Sequence, residues 1–141
     1  MQSAPRLFHL LSLAQRRAQA VAEAGLFDLD VSAAQVGALF VIAPGAGASV
    51  GEVAAALGLA QSATSTMVQR MERAGLIIRA ADPADARITR LHLTGSGLAV
   101  RAQAARRVQT LNRRLGGPFS AADIAVVAQF LEHVAALEPL A

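Results

Sequence analysis

The chain has 141 residues, 54% of them hydrophobic, with thirteen basic against ten acidic side chains and a formal charge of +3. It has no Cys, and every basic residue is Arg; disulfides, thiol redox sensing, Cys-based zinc sites, a P-loop and a lysine Schiff base are thereby excluded. The length suits one domain or one two-lobed unit, and an Ala- and Leu-rich composition favours helix.

In chain order, residues 3–23 read as a long helix with Leu7, Leu10, Leu11, Ala14, Ala18 and Val21 on its inward face. The apolar run from Leu7 precedes Arg16 and Arg17, whereas a signal peptide carries its charge first. Gly25 to Asp30 is a connector. Ser32 and Gln35 form a capping box that opens a helix through Ile42, with Val36, Leu39 and Phe40 as core. No charge occurs from Val31 to Gly51, but Pro44-Gly45-Ala46-Gly47 breaks that stretch, which argues for buried helix and loop rather than a membrane span.

Ser49 and Glu52 form a second capping box, and Val53, Ala54 and Leu57 make the stripe of a short helix. Gly58 is placed to take positive φ past its end. A second helix is expected over Gln61 to Ala74, with Thr64, Met67, Val68 and Met71 inward. Gln61, Ser62, Ser65, Thr66 and Gln69 then share the outward face, with Arg70 and Arg73 behind. Amides and hydroxyls of that kind exchange hydrogen bonds with base edges, and Arg pairs with phosphate or guanine. The bland alternative is a solvated face.

Leu76 to Arg79 is a strand candidate, Asp82-Pro83-Ala84-Asp85 has turn composition, and Ile88 to Leu93 alternates. The hairpin presents Arg79, Arg87 and Arg90, which suit phosphates or a minor groove. Pairing with Asp82 and Asp85 competes, and Asp85 is expected to hold Arg79 or Arg87. Thr94 caps a long helix to about Leu115, whose apolar series is Leu98, Ala102, Ala105, Val108, Leu111 and Leu115. Arg101, Arg106, Arg107, Arg113 and Arg114 take its other faces. Gly116-Gly117-Pro118 stops it. Ser120 with Asp123 opens a last helix with the stripe Ile124, Val127, Phe130, Leu131, Val134 and Leu137. The first and last helices have little core of their own to cover, so their stripes most simply meet a second copy.

From Gln61 to Arg114 there are ten Arg against three acids, while the remainder has three Arg against seven acids. A basic middle between acidic flanks suits a lobe that faces a polyanion. With no Trp or Tyr, an aromatic platform for single strands is not expected. His9, His92 and His133 have no metal-ligand spacing, and no nucleophile elbow or paired carboxylates occur. No metal, cofactor or catalysis is expected.

The stretch from Ser49 to Leu98 resembles the DNA-binding lobe of the MarR family of regulators. The resemblance is carried by Leu57-Gly58-Leu59, by Arg70-Met71-Glu72-Arg73-Ala74-Gly75-Leu76, by the wing Asp82-Pro83-Ala84-Asp85-Ala86-Arg87, and by Leu93-Thr94-Gly95-Ser96-Gly97. It implies a mainly α fold with a small β-wing: a winged helix-turn-helix lobe over residues 31–98 and dimerisation helices over 1–25 and 99–141. It further implies a cytoplasmic homodimeric repressor of double-stranded DNA with two related half-sites, relieved by a possible small-molecule effector. Gln61, Ser62, Ser65, Thr66 and Gln69 would face bases, Arg70 and Arg73 the backbone, and Arg87 would belong to the wing. Ala60, Thr66 and Ala86 depart from the family pattern, which touches base preference and affinity rather than fold. The alternative is a winged-helix module that binds protein and not DNA.

Overall fold

The computed structural model describes residues 6–42 and 44–139. In order these form α1 (Leu7–Leu26), a 3-10 turn (Phe27–Leu29), α2 (Ala33–Val41), α3 (Val50–Leu57), α4 (Gln61–Arg73), β1 (Ile77–Ala81), β2 (Thr89–Leu93), α5 (Gly95–Gly116) and α6 (Ala121–Ala135). They group into two compact units that divide inside α5, between Arg107 and Val108. The expected helix start at Ser3 lies outside the described residues. Among those residues no single helix is long and apolar enough to cross a membrane.

Local chemistry sets the helix boundaries of the first unit. Ser32 Oγ accepts from the Gln35 N–H at 3.1 Å while Gln35 Oε1 accepts from the Ser32 N–H at 2.9 Å. Ser49 and Glu52 repeat the exchange at 3.1 and 2.7 Å. Each box satisfies donors that a helix start leaves orphaned, and each cap stabilises by about 1 kcal/mol. α3 ends at Gly58, whose φ of +63° is left-handed. The Leu59 N–H then returns to Ala54 O at 3.0 Å and closes the turn.

α4 buries Thr64, Val68 and Met71, one side of the helix at i, i+4 and i+7. Thr64 brings no unpaired hydroxyl inside, because its Oγ1 donates to Ala60 O at 3.0 Å. Leu39, Ile42, Val53, Val68, Met71, Ile77 and Leu91 are all fully buried. Each such side chain stabilises by about 1.5–3 kcal/mol, and cutting Met71 back to Ala would remove about 2–5 kcal/mol. Ile77 and Leu91 root the hairpin in this core. β1 and β2 pair antiparallel from Ile77 opposite Leu93 to Ala81 opposite Thr89. An isolated two-stranded ribbon is marginal in water. Here Ala48 adds a third edge, exchanging hydrogen bonds of 3.0 and 2.7 Å with Leu91.

α5 meets this core through Gly97 and Ala104, the two residues it buries. A Cβ at position 97 would land on the Leu76 carbonyl, so only Gly lets the helix approach that closely. The apolar series expected along α5 is only partly covered: Ala105, Val108 and Leu111 are half-buried, Leu98, Ala102 and Leu115 are exposed, and the buried positions are Gly97 and Ala104. In α1 the expected face is likewise covered in part: Leu11, Ala18 and Val21 are half-buried, Leu7 and Leu10 are each 51% exposed, and Leu26 alone is buried. Phe40, expected in the core, is half-buried with the Arg101 guanidinium 5.5 Å from its ring centre. β1 starts one residue later than expected and runs two further, to Ala81.

In the second unit α5 ends at Gly116, and Ser120 starts α6. Ser120 Oγ accepts from the Asp123 N–H at 3.1 Å, and Asp123 Oδ2 accepts from the Ser120 N–H at 3.0 Å. α6 buries no residue, and Ile124, Val127, Phe130 and Leu131 are 37–47% exposed. That stripe has the spacing of a packed face, yet the described residues leave it open.

Candidate nucleic-acid interface

The solvent side of α4 is polar and open. Gln61, Ser62, Thr66, Gln69, Arg70 and Arg73 are exposed and Ser65 is half-buried. The Thr66 hydroxyl donates to Ser62 O at 3.1 Å. Ala60 offers no side-chain oxygen, so the first N–H groups of α4 lack a side-chain cap. Arg70 and Arg73 lie in the last turn, where positive charge suits the helix dipole. They have no hydrogen-bond or ion-pair partner among the described residues.

The wing carries Arg87 at its tip, its side chain 90% exposed. Asp85 holds it bidentate, Nε to Oδ1 at 3.0 Å and Nη2 to Oδ2 at 3.1 Å. The Arg87 side chain, and then its backbone N–H, hold the Asp85 carboxyl below the usual carboxylate range, and Asp85 raises Arg87 in return. Arg87 is therefore the arginine that Asp85 holds; Arg79 pairs instead with Glu72. Arg90 is 22% exposed and turns inward, donating to Ala46 O and Gly47 O at 3.1 Å each. The hairpin thus brings together one outward arginine, one shared with α4 and one internal.

Sequence reasoning missed the internal work of the α5 arginines. Arg101 Nε donates to Leu39 O at 3.1 Å, capping a carbonyl at the end of α2. Arg107 grips Asp28 at 2.9 and 2.6 Å and Gly25 O at 2.7 Å, tying the connector after α1 to α5. Asp28 lies 79 positions away, and no local pattern announces such a pair. An open groove of about 410 Å³ lies beside α4, lined by Ser32 and Gln35 from the start of α2 and by Thr66, Met67 and Arg70. It holds no carboxylate, imidazole or thiol to act as a general base.

Two short helices joined by a glycine turn, the second open to solvent, followed by a rooted hairpin, define a winged helix-turn-helix protein. The sequence profile of the MarR family matches residues 29–88. An uncharacterized HTH-type transcriptional regulator, YsmB of Bacillus subtilis (strain 168), is 31% identical over 78 residues, 55% of this chain and 53% of that protein. The match therefore spans about half the length of that relative. A mutant of MarR from E.coli complexed with operator DNA superposes with a TM-score of 0.82 at 26% identity, covering 92% of this chain and 94% of that one. CouR from Rhodococcus jostii RHA1 bound to p-coumaroyl-CoA gives 0.88 at 22% identity over 100% of both chains. The transcriptional repressor CouR bound to a 23-mer DNA duplex gives 0.81 at 26% over 92% of each. The MarR profile thus covers residues 29–88, less than half of the chain, and the fold is that of the winged helix-turn-helix regulators in these structures.

Proposed function

We propose that this chain is a homodimeric transcriptional regulator, a repressor, that places α4 in the major groove of double-stranded DNA. The observation that carries the reading is the open face of α4, where Gln61, Ser62, Thr66 and Gln69 lie beside two arginines with no partner among the described residues. Gln61, Ser62, Ser65, Thr66 and Gln69 read base edges, Arg70 and Arg73 take phosphates, and Arg87 brings the wing to the backbone or minor groove. Residues 31–98 act as the DNA-binding lobe. Residues 1–25 and 99–141 serve dimerisation, a role supported by the apolar side chains that α1 and α6 leave exposed. A two-fold dimer places its helices about one turn apart, roughly 10 bp between half-site centres. The reading assigns regulation rather than catalysis, action in the cytoplasm where the duplex is, and a small-molecule effector that lowers DNA affinity.

Binding to a labelled duplex, selected from random-sequence DNA by the purified protein, tests this. Three phosphate-facing arginines per protomer neutralise about six phosphates per dimer, so log K should fall against log salt with a slope of roughly −5. A protein that selects no duplex is instead the protein-interaction module, and one that binds with no salt dependence does not use these arginines on phosphates.

A further inference from the structure

Arg90 is the most heavily engaged side chain of the wing. Its Nε donates to Ala46 O and its Nη2 to Gly47 O, each at 3.1 Å. Its Nη1 lies 3.4 Å from Asp82 Oδ2, and its Nη2 lies 3.5 Å from Glu52 Oε2. These four acceptors sit in three separate places. Ala46 and Gly47 belong to the turn that leads into α3. Glu52 is half of the capping box that starts α3. Asp82 shapes the wing tip, its Oδ1 accepting from the N–H groups of Ala84 at 2.8 Å and Asp85 at 3.2 Å. Asp85, the next carboxylate along that turn, holds Arg87.

A guanidinium is a rigid planar fork that stays charged, so one side chain here fixes a spacing between the helix-turn-helix and the hairpin tip. We infer that Arg90 is a positioning residue for the DNA contact: it sets where Arg87 meets the duplex and does not touch the duplex itself. The inference rests on the functional reading above. A direct phosphate contact would need Arg90 to release the Ala46 carbonyl, which is exposed, and the Gly47 carbonyl, which is part-buried and costs free energy when stripped of its donor. Arg87, by contrast, is already turned to solvent.

A double-mutant comparison on the selected duplex separates the two roles. Arg87→Ala should weaken binding about tenfold and lower the salt slope by about one for each phosphate the wing no longer neutralises. Arg90→Met should weaken binding about fivefold in the parent and less than about twofold in the Arg87→Ala background, because the group it positions is already gone. Arg90→Lys, which keeps the charge but not the fork, should behave like Arg90→Met. Losses that multiply in the double variant, each with its own fall in slope, would make Arg90 a direct contact and overturn the inference. So would Arg90→Met binding like the parent. If circular dichroism shows Arg90→Met unfolded, Asp82→Asn carries the same comparison, since it keeps the turn's Oδ1 acceptor and removes the charged partner. Unchanged binding by a folded Asp82→Asn overturns the inference too. A parent that selects no duplex removes the DNA reading and the positioning role with it, whereas an Arg87→Ala that binds like the parent removes the wing contact, and so the positioning role, alone.

Discussion

Arg79 Nε lies 3.1 Å from Glu72 Oε2, a bond that fastens the first strand of the wing to the last turn of α4. Both side chains are more than a third exposed, at 34% and 40%. A pair this wet stabilises by roughly 0.2–1 kcal/mol at most. Its larger consequence is electrostatic, because Glu72 is the one acid on a helix that otherwise presents Arg70 and Arg73.

Glu72→Gln should therefore lower stability by less than about 1 kcal/mol in urea unfolding. The same variant should bind a duplex more tightly at low salt, since it frees Arg79 and removes a charge that repels phosphate. Tighter binding that vanishes at high salt confirms the charge account. Weaker binding at every salt would mean that Arg79 must be held by Glu72 to keep the wing in place.

Gln69 and Arg70 are adjacent on α4, both exposed, and the proposed roles differ in kind. Gln69→Ala should relax preference at one base position by about 1–3 kcal/mol and leave the salt slope unchanged. Arg70→Ala should weaken all sequences alike and reduce the slope by about one for each phosphate left unpaired. Binding titrations on the selected duplex and on single-base variants distinguish them. If each residue gives the other's pattern, the face has been read with the wrong rotation.

Gly95 and Gly97 start the same helix in different surroundings. A Cβ at Gly95 meets nothing within 4 Å, whereas one at Gly97 falls on the Leu76 carbonyl. Gly95→Ala should be neutral or stabilising by about 0.4–1 kcal/mol. Gly97→Ala should destabilise by about 1–3 kcal/mol or more, since backbone must move to admit the methyl. Equal effects in denaturant unfolding would mean that α5 does not press against the wing's base.

The helix-turn-helix was legible because its signals are local. Ser32 with Gln35 and Ser49 with Glu52 each announce a helix start within four residues of chain. Gly58 follows a short stripe, and of the expected inner face Thr64, Val68 and Met71 are buried while Met67 is half-buried beside the open groove. The hairpin was legible in its turn residues and in Leu91, though not to the residue at its ends. The arginines were legible only in part: pairing with Asp82 and Asp85 was expected, and Asp85 does hold Arg87 and Asp82 meets Arg90, but the longer-range partners were not. Arg90 bonds residues 43 and 44 positions away and Arg107 one 79 positions away. Which acid or carbonyl an arginine meets is set by packing, and many pairings satisfy the same composition. Periodicity along α5 likewise identified an apolar face without saying what covers it. The chain's own core takes the Gly97 and Ala104 face instead.

The stripe on α6 leads to a test of assembly. Phe130 and Leu131 are 38% and 46% exposed, so charging them does not disturb a core of the single chain. Leu131→Glu should leave the circular dichroism unchanged and convert a dimer to monomer in sedimentation. Affinity for the selected duplex should fall about 100-fold, since each half-site then binds alone. A variant still dimeric at the same concentration would place the subunit interface elsewhere.

Acid should weaken the fold through three carboxylates. Arg107 holds Asp28 below the ordinary carboxylate range, Arg87 does so for Asp85, and the Ser120 hydroxyl for Asp123. A carboxyl whose pKa is lower in the folded chain than in the unfolded one binds fewer protons when folded. Its contribution is then complete above the unfolded value, about 3.9, and is lost as pH falls through the folded value. Asp28→Asn should accordingly unfold at lower urea than the parent near neutral pH. The two midpoints should converge only as pH falls through the lowered folded value of Asp28, where the parent's carboxyl is also protonated. A gap that persists unchanged into acid would mean that Asn loses packing or a hydrogen bond rather than a charge, and that the Asp28 pairing with Arg107 does not set the acid limb.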